Sequence, residues 1–186
     1  MLPLFRICVF AALFAAAGTA IAQDICSDYL SRTNCVGGRR PVHRGADFGG
    51  QAGTEVISAT HGTVVGKTFD KCAGHGIVIK TDIVARHEDV EGPVYVRYAH
   101  VEPYAELKVA QTVQPGDALG KIIPLRNTRC YGSREHVHYE LRVMGNAERH
   151  ISPHEFWADG AGKVTCLAAG ASVPPGKAVA PLRCSR

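Results

Sequence analysis

Two histidines separated by a single residue, His136 and His138, lie in the alternating run REHVHYEL at 134–141. Successive side chains of a strand take opposite faces, so His136, His138 and Glu140 project together while Val137, Tyr139 and Leu141 point the other way, into a core. The two imidazoles then stand roughly 6.6 Å apart at the backbone, close enough for both to lean towards one point. A second pair of candidates, His43 and Asp47, is four residues apart in PVHRGADFGG at 41–50. Pro41, Gly45, Gly49 and Gly50 argue against the helix that would put them on one face. A straight strand would hold them roughly 13 Å apart, too far to share a metal whose bonds are about 2 Å. A sharp bend at Gly45 would bring them together; without it the segment is a surface turn with an incidental His and Asp. His100 closes the run VYVRYAHV at 94–101, on the same alternation face as Val94, Val96 and Tyr98.

Imidazole and carboxylate are borderline nitrogen and oxygen donors. Three protein ligands with a fourth position left to water describe a catalytic zinc site, whereas a structural site is closed by four ligands that usually include thiolates. The residues alone leave open which of His136 and His138 would bind. Glu140 shares their face, where it either orients a ligand or is a solvated strand residue. The remaining histidines, His61, His75, His87, His150 and His154, lack such a context and read as solvated loop positions, with Pro153 breaking any helix between the last two.

The segments that must position these groups are short alternating runs punctuated by glycine between Pro41 and Val143. TEVISA, GTVVGKTF, HGIVIKTD, VYVRYAHV and HVHYELRV are rich in Val, Ile, Tyr and Thr, and QPGDALGKI adds a Pro-Gly turn and one more strand. This pattern predicts an all-β antiparallel domain. Helix signals are confined to a turn or two near 103–107 and to SPHEFW at 152–157, where a serine cap precedes proline at the first helical position. Beyond Trp157 the composition shifts to Gly, Ala and Pro, predicting an irregular C-terminal tail over 158–186.

Residues 1–22 carry one positive side chain, Arg6, then an apolar stretch too short to span a membrane, then small residues, the order of a signal peptide cleaved before Gln23. No later segment is long and apolar enough to span. Of seven cysteines, Cys8 falls in that leader; the other six, an even number behind an export signal, point to disulfides in an oxidising compartment. Six thiols allow 15 pairings and the sequence does not choose among them; proximity suggests Cys26 with Cys35 and Cys166 with Cys184, leaving Cys72 for Cys130. A short disulfide-bearing lead-in is expected over 23–40 and the main domain over 41–157. The formal charge of +4, one unit of it Arg6, suits anionic surroundings such as a cell-wall polymer and gives no nucleic-acid stripe.

From Pro41 to Val143 the ordered blocks HRGADFGG, GTEVISATHGTVV, AGHGIVIKT, YAH, VQPGDALGKI and HVHYEL resemble the lysostaphin-type zinc endopeptidases, also called the LytM or glycyl-glycine endopeptidase family, which cut the peptide cross-links of bacterial peptidoglycan. The resemblance implies a small antiparallel β-sheet groove with few short helices. It implies one Zn2+ on His43, Asp47 and His138, with His100 and His136 as the non-ligand catalytic pair. No HExxH glutamate is present, so one of that pair would take the proton of the attacking water and pass it to the leaving amine, or stabilise the oxyanion. The implied partners are peptidoglycan stem peptides and cross-bridges, reached by a monomer in the periplasm or after secretion. The short distance from Gln23 to His43 leaves no room for an inhibitory domain, so activity without trimming is expected. The sequence departs from the family at GSREHVHYE, where Arg134 and Glu135 replace a glycine-rich approach, and in its cysteine-bearing ends. The alternative is a non-catalytic cell-wall binding or hydrolase-activating module of the same fold; the intact five residues weigh against it. A zinc D-alanyl-D-alanine peptidase would have a longer His-to-Asp spacing.

Overall fold

The computed structural model describes residues 24–71, 73–125 and 134–184. The expected leader and the pairing of Cys72 with Cys130 lie outside these. Among the described residues the chain forms eleven strands: β1 (Ile25–Ser27), β2 (Ala46–Gly49), β3 (Glu55–Ile57), β4 (Gly62–Asp70), β5 (Gly74–His87), β6 (Val90–Ala99), β7 (Val101–Pro103), β8 (Thr112–Val113), β9 (Ala118–Ile122), β10 (His136–Met144) and β11 (Glu148–Ile151). A single 3-10 turn, Pro153–Glu155, is capped by Ser152, whose hydroxyl accepts from the His154 amide. The signal near 103–107 yields only a turn, closed by the Leu107 amide donating to the Tyr104 carbonyl.

All strand pairs are antiparallel. The larger sheet runs β1-β2-β10-β6-β5-β4-β8, and a smaller one runs β3-β9-β7. β10 is the axis of the larger sheet. Its first half pairs with β2 and its second half with β11, so both lie end to end along one edge, while β6 covers the other. The period-2 pattern of β10 is realised: Val137, Tyr139, Leu141 and Val143 are fully buried in one cluster with Val94, Val96, Tyr98, Ile77 and Ile79. Phe48, Tyr139 and Trp157 pack there with ring centroids 6.1–6.2 Å apart. Residues of the smaller sheet, such as Val56, Leu119 and Ile122, belong to the same cluster.

The C-terminal segment is irregular, yet it is part of that core. Ala178, Val179, Ala180 and Leu182 are at most 2% exposed. Disulfides join Cys166 to Cys184 and Cys26 to Cys35, the two pairings that proximity suggested.

Strand alternation misplaces His100. It would put the ring beside Tyr98, in the core, but β6 ends at Ala99 and His100 takes a φ of 64° before β7 begins. This left-handed residue, uncommon for a side chain with a Cβ, reverses the chain face and delivers the ring to His136, with centroids 4.7 Å apart. The reading of five histidines as solvated loop positions also needs correction. His75 and His87 lie on β5 and His150 on β11, because strand pairing extends further than their local turn signals suggest.

Candidate metal centre

Strand register brings Asp47 to His138. The two are directly opposed across β2 and β10, on the face away from the core. His43 precedes β2 and is carried to the same point by a bend at Arg44 and Gly45. Glycine is required there by close approach to β10: a Cβ on Gly45 would lie 2.5 Å from the Tyr139 carbonyl oxygen and 2.9 Å from His138 Cε1. The result is a triangle of atoms from segments about ninety residues apart. His43 Nε2 is 3.0 Å from Asp47 Oδ1, Asp47 Oδ1 is 2.8 Å from His138 Nδ1, and His138 Nδ1 is 2.9 Å from His43 Nε2.

The hydrogen bonds around the triangle define which lone pairs enter it. His43 Nδ1 donates to the Asp28 carbonyl at 3.0 Å, leaving Nε2 as an acceptor turned inward. His138 Nε2 lies 3.5 Å from the Glu140 carboxylate, so a proton there leaves Nδ1 as an acceptor too. Two imidazole lone pairs and a carboxylate oxygen at mutual distances near 3 Å repel one another unless a proton or a metal cation stands between them. The corners of such a triangle are about 1.7 Å from its centre, within the bond length of about 2 Å that zinc makes to nitrogen and oxygen. The donor set therefore fits a divalent ion. His43, Asp47 and His138 are buried or nearly so, and the triangle opens on a groove of about 370 Å3 also lined by His100, His136 and Glu140.

Each carboxylate of the cluster is held ionised. Burial alone would raise the Asp47 carboxyl, but the adjacent His138 and His43 rings, with a smaller contribution from His136, hold it well below the usual carboxylate range. Glu140 behaves alike: burial opposes ionisation, and His138, His150 and Arg142 outweigh it. His138 is raised, because Asp47 and Glu140 overcome its burial.

The other two rings are kept neutral. Burial, reinforced by the neighbouring His136 and His138, pushes the His100 imidazole down to about 3. His136 is lowered by burial, with Asp47 and the Arg134 carbonyl acting against the shift. Both rings are oriented by their Nδ1: His100 donates to the Ala73 carbonyl at 2.9 Å and His136 to the Arg134 carbonyl at 3.0 Å. His136 Nε2 consequently faces the cluster, 3.6 Å from Asp47 Oδ2. All five residues singled out in the sequence thus line one groove.

The sequence reading placed Glu140 on this face with its role open, and missed several of the neighbours around the cluster. Glu140 is 3% exposed, and His150 Nδ1 sits 2.5 Å from its Oε1. The pairing of β11 with β10 places His150 there, and no spacing in the chain announces it. Arg40, from the lead-in, reaches Asp47 Oδ2 with Nη1 at 3.0 Å. Cys35 Sγ lies 3.8 Å from the same oxygen; bonded to Cys26, it has no proton to donate and no thiolate to offer a metal.

Comparison with known proteins identifies the family and the fold. A family model described as Peptidase family M23 matches residues 41–153. Among solved structures, the chain is similar to the antimicrobial peptidase lysostaphin from Staphylococcus simulans, at 23% identity over 82% of this chain and 55% of that one, with a TM-score of 0.54. It is also similar to a mutant catalytic domain of the prophage-encoded M23 protein EnpA from Enterococcus faecalis, at 22% identity over 82% of this chain and 100% of that one, with a TM-score of 0.50. At such identities the likeness is one of fold.

Proposed function

Because the chain belongs to peptidase family M23, we propose that it is a zinc-dependent endopeptidase hydrolysing the peptide cross-links of bacterial peptidoglycan. One zinc ion is held by His43, Asp47 and His138, and His100 and His136 are the catalytic pair. The observation that carries this reading is the triangle of three acceptor atoms 2.8–3.0 Å apart at the floor of a groove. A zinc ion there supplies Lewis-acid polarisation of a peptide carbonyl and eases ionisation of the attacking water.

The protein's own groups do the rest. The burial-lowered His100 and His136 are neutral near pH 7, and each spends Nδ1–H on a backbone carbonyl. Each therefore presents Nε2 as a proton-accepting atom: one ring takes the proton of water as it attacks, and the imidazolium it becomes steadies the developing charge and returns the proton to the leaving amine. His43 and His138 are turned by Asp28 and Glu140 so that their lone pairs converge.

Two disulfides support an extracytoplasmic location, and we assign residues 1–22 to a cleaved leader, 23–40 to a lead-in, 41–157 to the peptidase domain and 158–186 to a clamped tail of a monomer. The test is the release of new amino groups from purified peptidoglycan. Release that a chelator abolishes and added zinc restores supports the proposal; no release above the chelated control would favour a non-catalytic wall-binding module.

A further inference from the structure

Beyond the metal cluster, the same sheet face carries side chains in rows set by strand pairing. One row holds Asp47, His138, Ala99 and Gly76 across β2, β10, β6 and β5. The next holds Glu140, Arg97 and Val78, and the one after holds His150, Arg142, Tyr95 and Lys80. Rows two residues apart are separated by roughly 6.6 Å, the repeat of an extended peptide lying along the face.

The charges in these rows do not cancel. The groove is lined by Arg40, Arg44, Arg97 and Arg142 against the carboxylates of Asp47, Glu140 and Glu148, which leaves an excess of one positive charge before any metal is counted. Arg142 is fully engaged, with Nε and Nη2 at 3.1–3.2 Å from Glu140 and Nη1 at 3.1 Å from Glu148. Arg97 is different. Its Nη1 lies 3.6 Å from Glu140 Oε2, an ion pair too long for a hydrogen bond, while its side chain is only 24% exposed. A guanidinium has five donors in a planar fork matched to a carboxylate. Beside it is a hollow of about 90 Å3 lined by Val78, Tyr95 and Met144 together with Arg97, Arg142 and Glu148.

We propose that Arg97 forms an anion subsite that takes a free carboxylate of the substrate peptide about two residues from the bond held at the metal cluster, with a small apolar side chain entering the adjacent hollow. The substrate class is then an acid-bearing peptide rather than an uncharged glycine chain. The inference rests on the endopeptidase reading for which bond faces the cluster, though not for the binding itself.

The experiment measures binding by calorimetry and cleavage by chromatography for the zinc-loaded full chain, using a synthetic peptidoglycan stem pentapeptide with its acidic groups free and the same peptide with them converted to carboxamides. The acid form is expected to bind on the order of tenfold more tightly, with the preference shrinking as salt is raised. In Arg97→Gln the preference should fall to about twofold or less while affinity for the carboxamide form is kept, and Arg97→Lys should restore part of it. Equal binding of both peptides by the wild-type chain overturns the proposal whatever the variants do, as does an undiminished preference in folded Arg97→Gln. Acid-selective binding without cleavage of peptide or peptidoglycan would support the subsite and refute the endopeptidase reading; cleavage with equal binding would do the reverse.

Discussion

Gly45→Ala isolates the geometry that assembles the centre without touching a donor atom. The new Cβ would stand 2.5 Å from the Tyr139 carbonyl oxygen and 3.1 Å from Glu140 Cα, both backbone atoms of the axial strand β10. Ordinary contact begins near 3.4 Å, so the segment bearing His43 and Asp47 must retreat by about 0.9 Å from the one bearing His138. Metal–ligand bonds tolerate only about 0.2 Å, and the triangle would open beyond that. Overpacking of this kind costs about 2 kcal/mol, or about 6 °C in Tm for a chain of this size. Zinc affinity should fall about 10- to 100-fold, the range seen when the support of a ligand is disturbed. Calorimetric melting and metal content after dialysis read the two effects separately. Gly66→Ala is the control, since a Cβ there meets nothing within 4 Å. Stoichiometric zinc and an unchanged Tm in Gly45→Ala, matching the control, would refute the reasoning.

Other outcomes follow from the same geometry. His138→Ala should lose both zinc and turnover, whereas His136→Ala should keep zinc and lose about 10^2- to 10^4-fold in kcat; full activity in metal-replete His136→Ala removes its catalytic role. Glu140→Gln takes the charge from a carboxylate that sits beside His138, His150 and Arg142, and should weaken zinc binding about 10- to 100-fold, as competition with a chromogenic chelator would reveal. An affinity equal to wild type would mean that Glu140 does not orient His138. Replacing Cys166 and Cys184 together by serine frees a segment that closes an 18-residue loop and should cost about 3 kcal/mol in denaturant unfolding. A loss under about 0.5 kcal/mol would show that packing of Ala178–Leu182 alone holds the tail. Acidification should strip the metal, because His138, held above the usual imidazole range by Asp47 and Glu140, must be neutral to bind and takes up a proton as the pH falls; a metal content that does not drop on acidification would exclude a histidine-based centre.

Much of the architecture was legible because its cause is local. HVHYELRV alternates so regularly that burying Val137, Tyr139, Leu141 and Val143 leaves His136 and His138 on the outer face. The bend at Gly45 could be anticipated because no regular element joins His43 to Asp47 within reach of one ion. Ser152 and Pro153 announced the 3-10 turn through their own capping chemistry. His100 was not legible in the same way. Alternation assigns it to the core, and only the left-handed backbone at that residue, with φ of 64°, overrides the period.

The amino-acid sequence by itself determined the donor types and the antiparallel β character, and suggested the two short-range disulfides, since each depends on residues near one another in the chain. Tertiary structure alone decided that Asp47 faces His138, that His150 closes on Glu140, and that Arg97 lines the groove beside Glu140. These meetings are set by the register in which β2, β11 and β6 dock on the two edges of β10. A slip of one residue would turn every one of those side chains to the opposite face, and no local pattern encodes the register of strands so far apart in sequence.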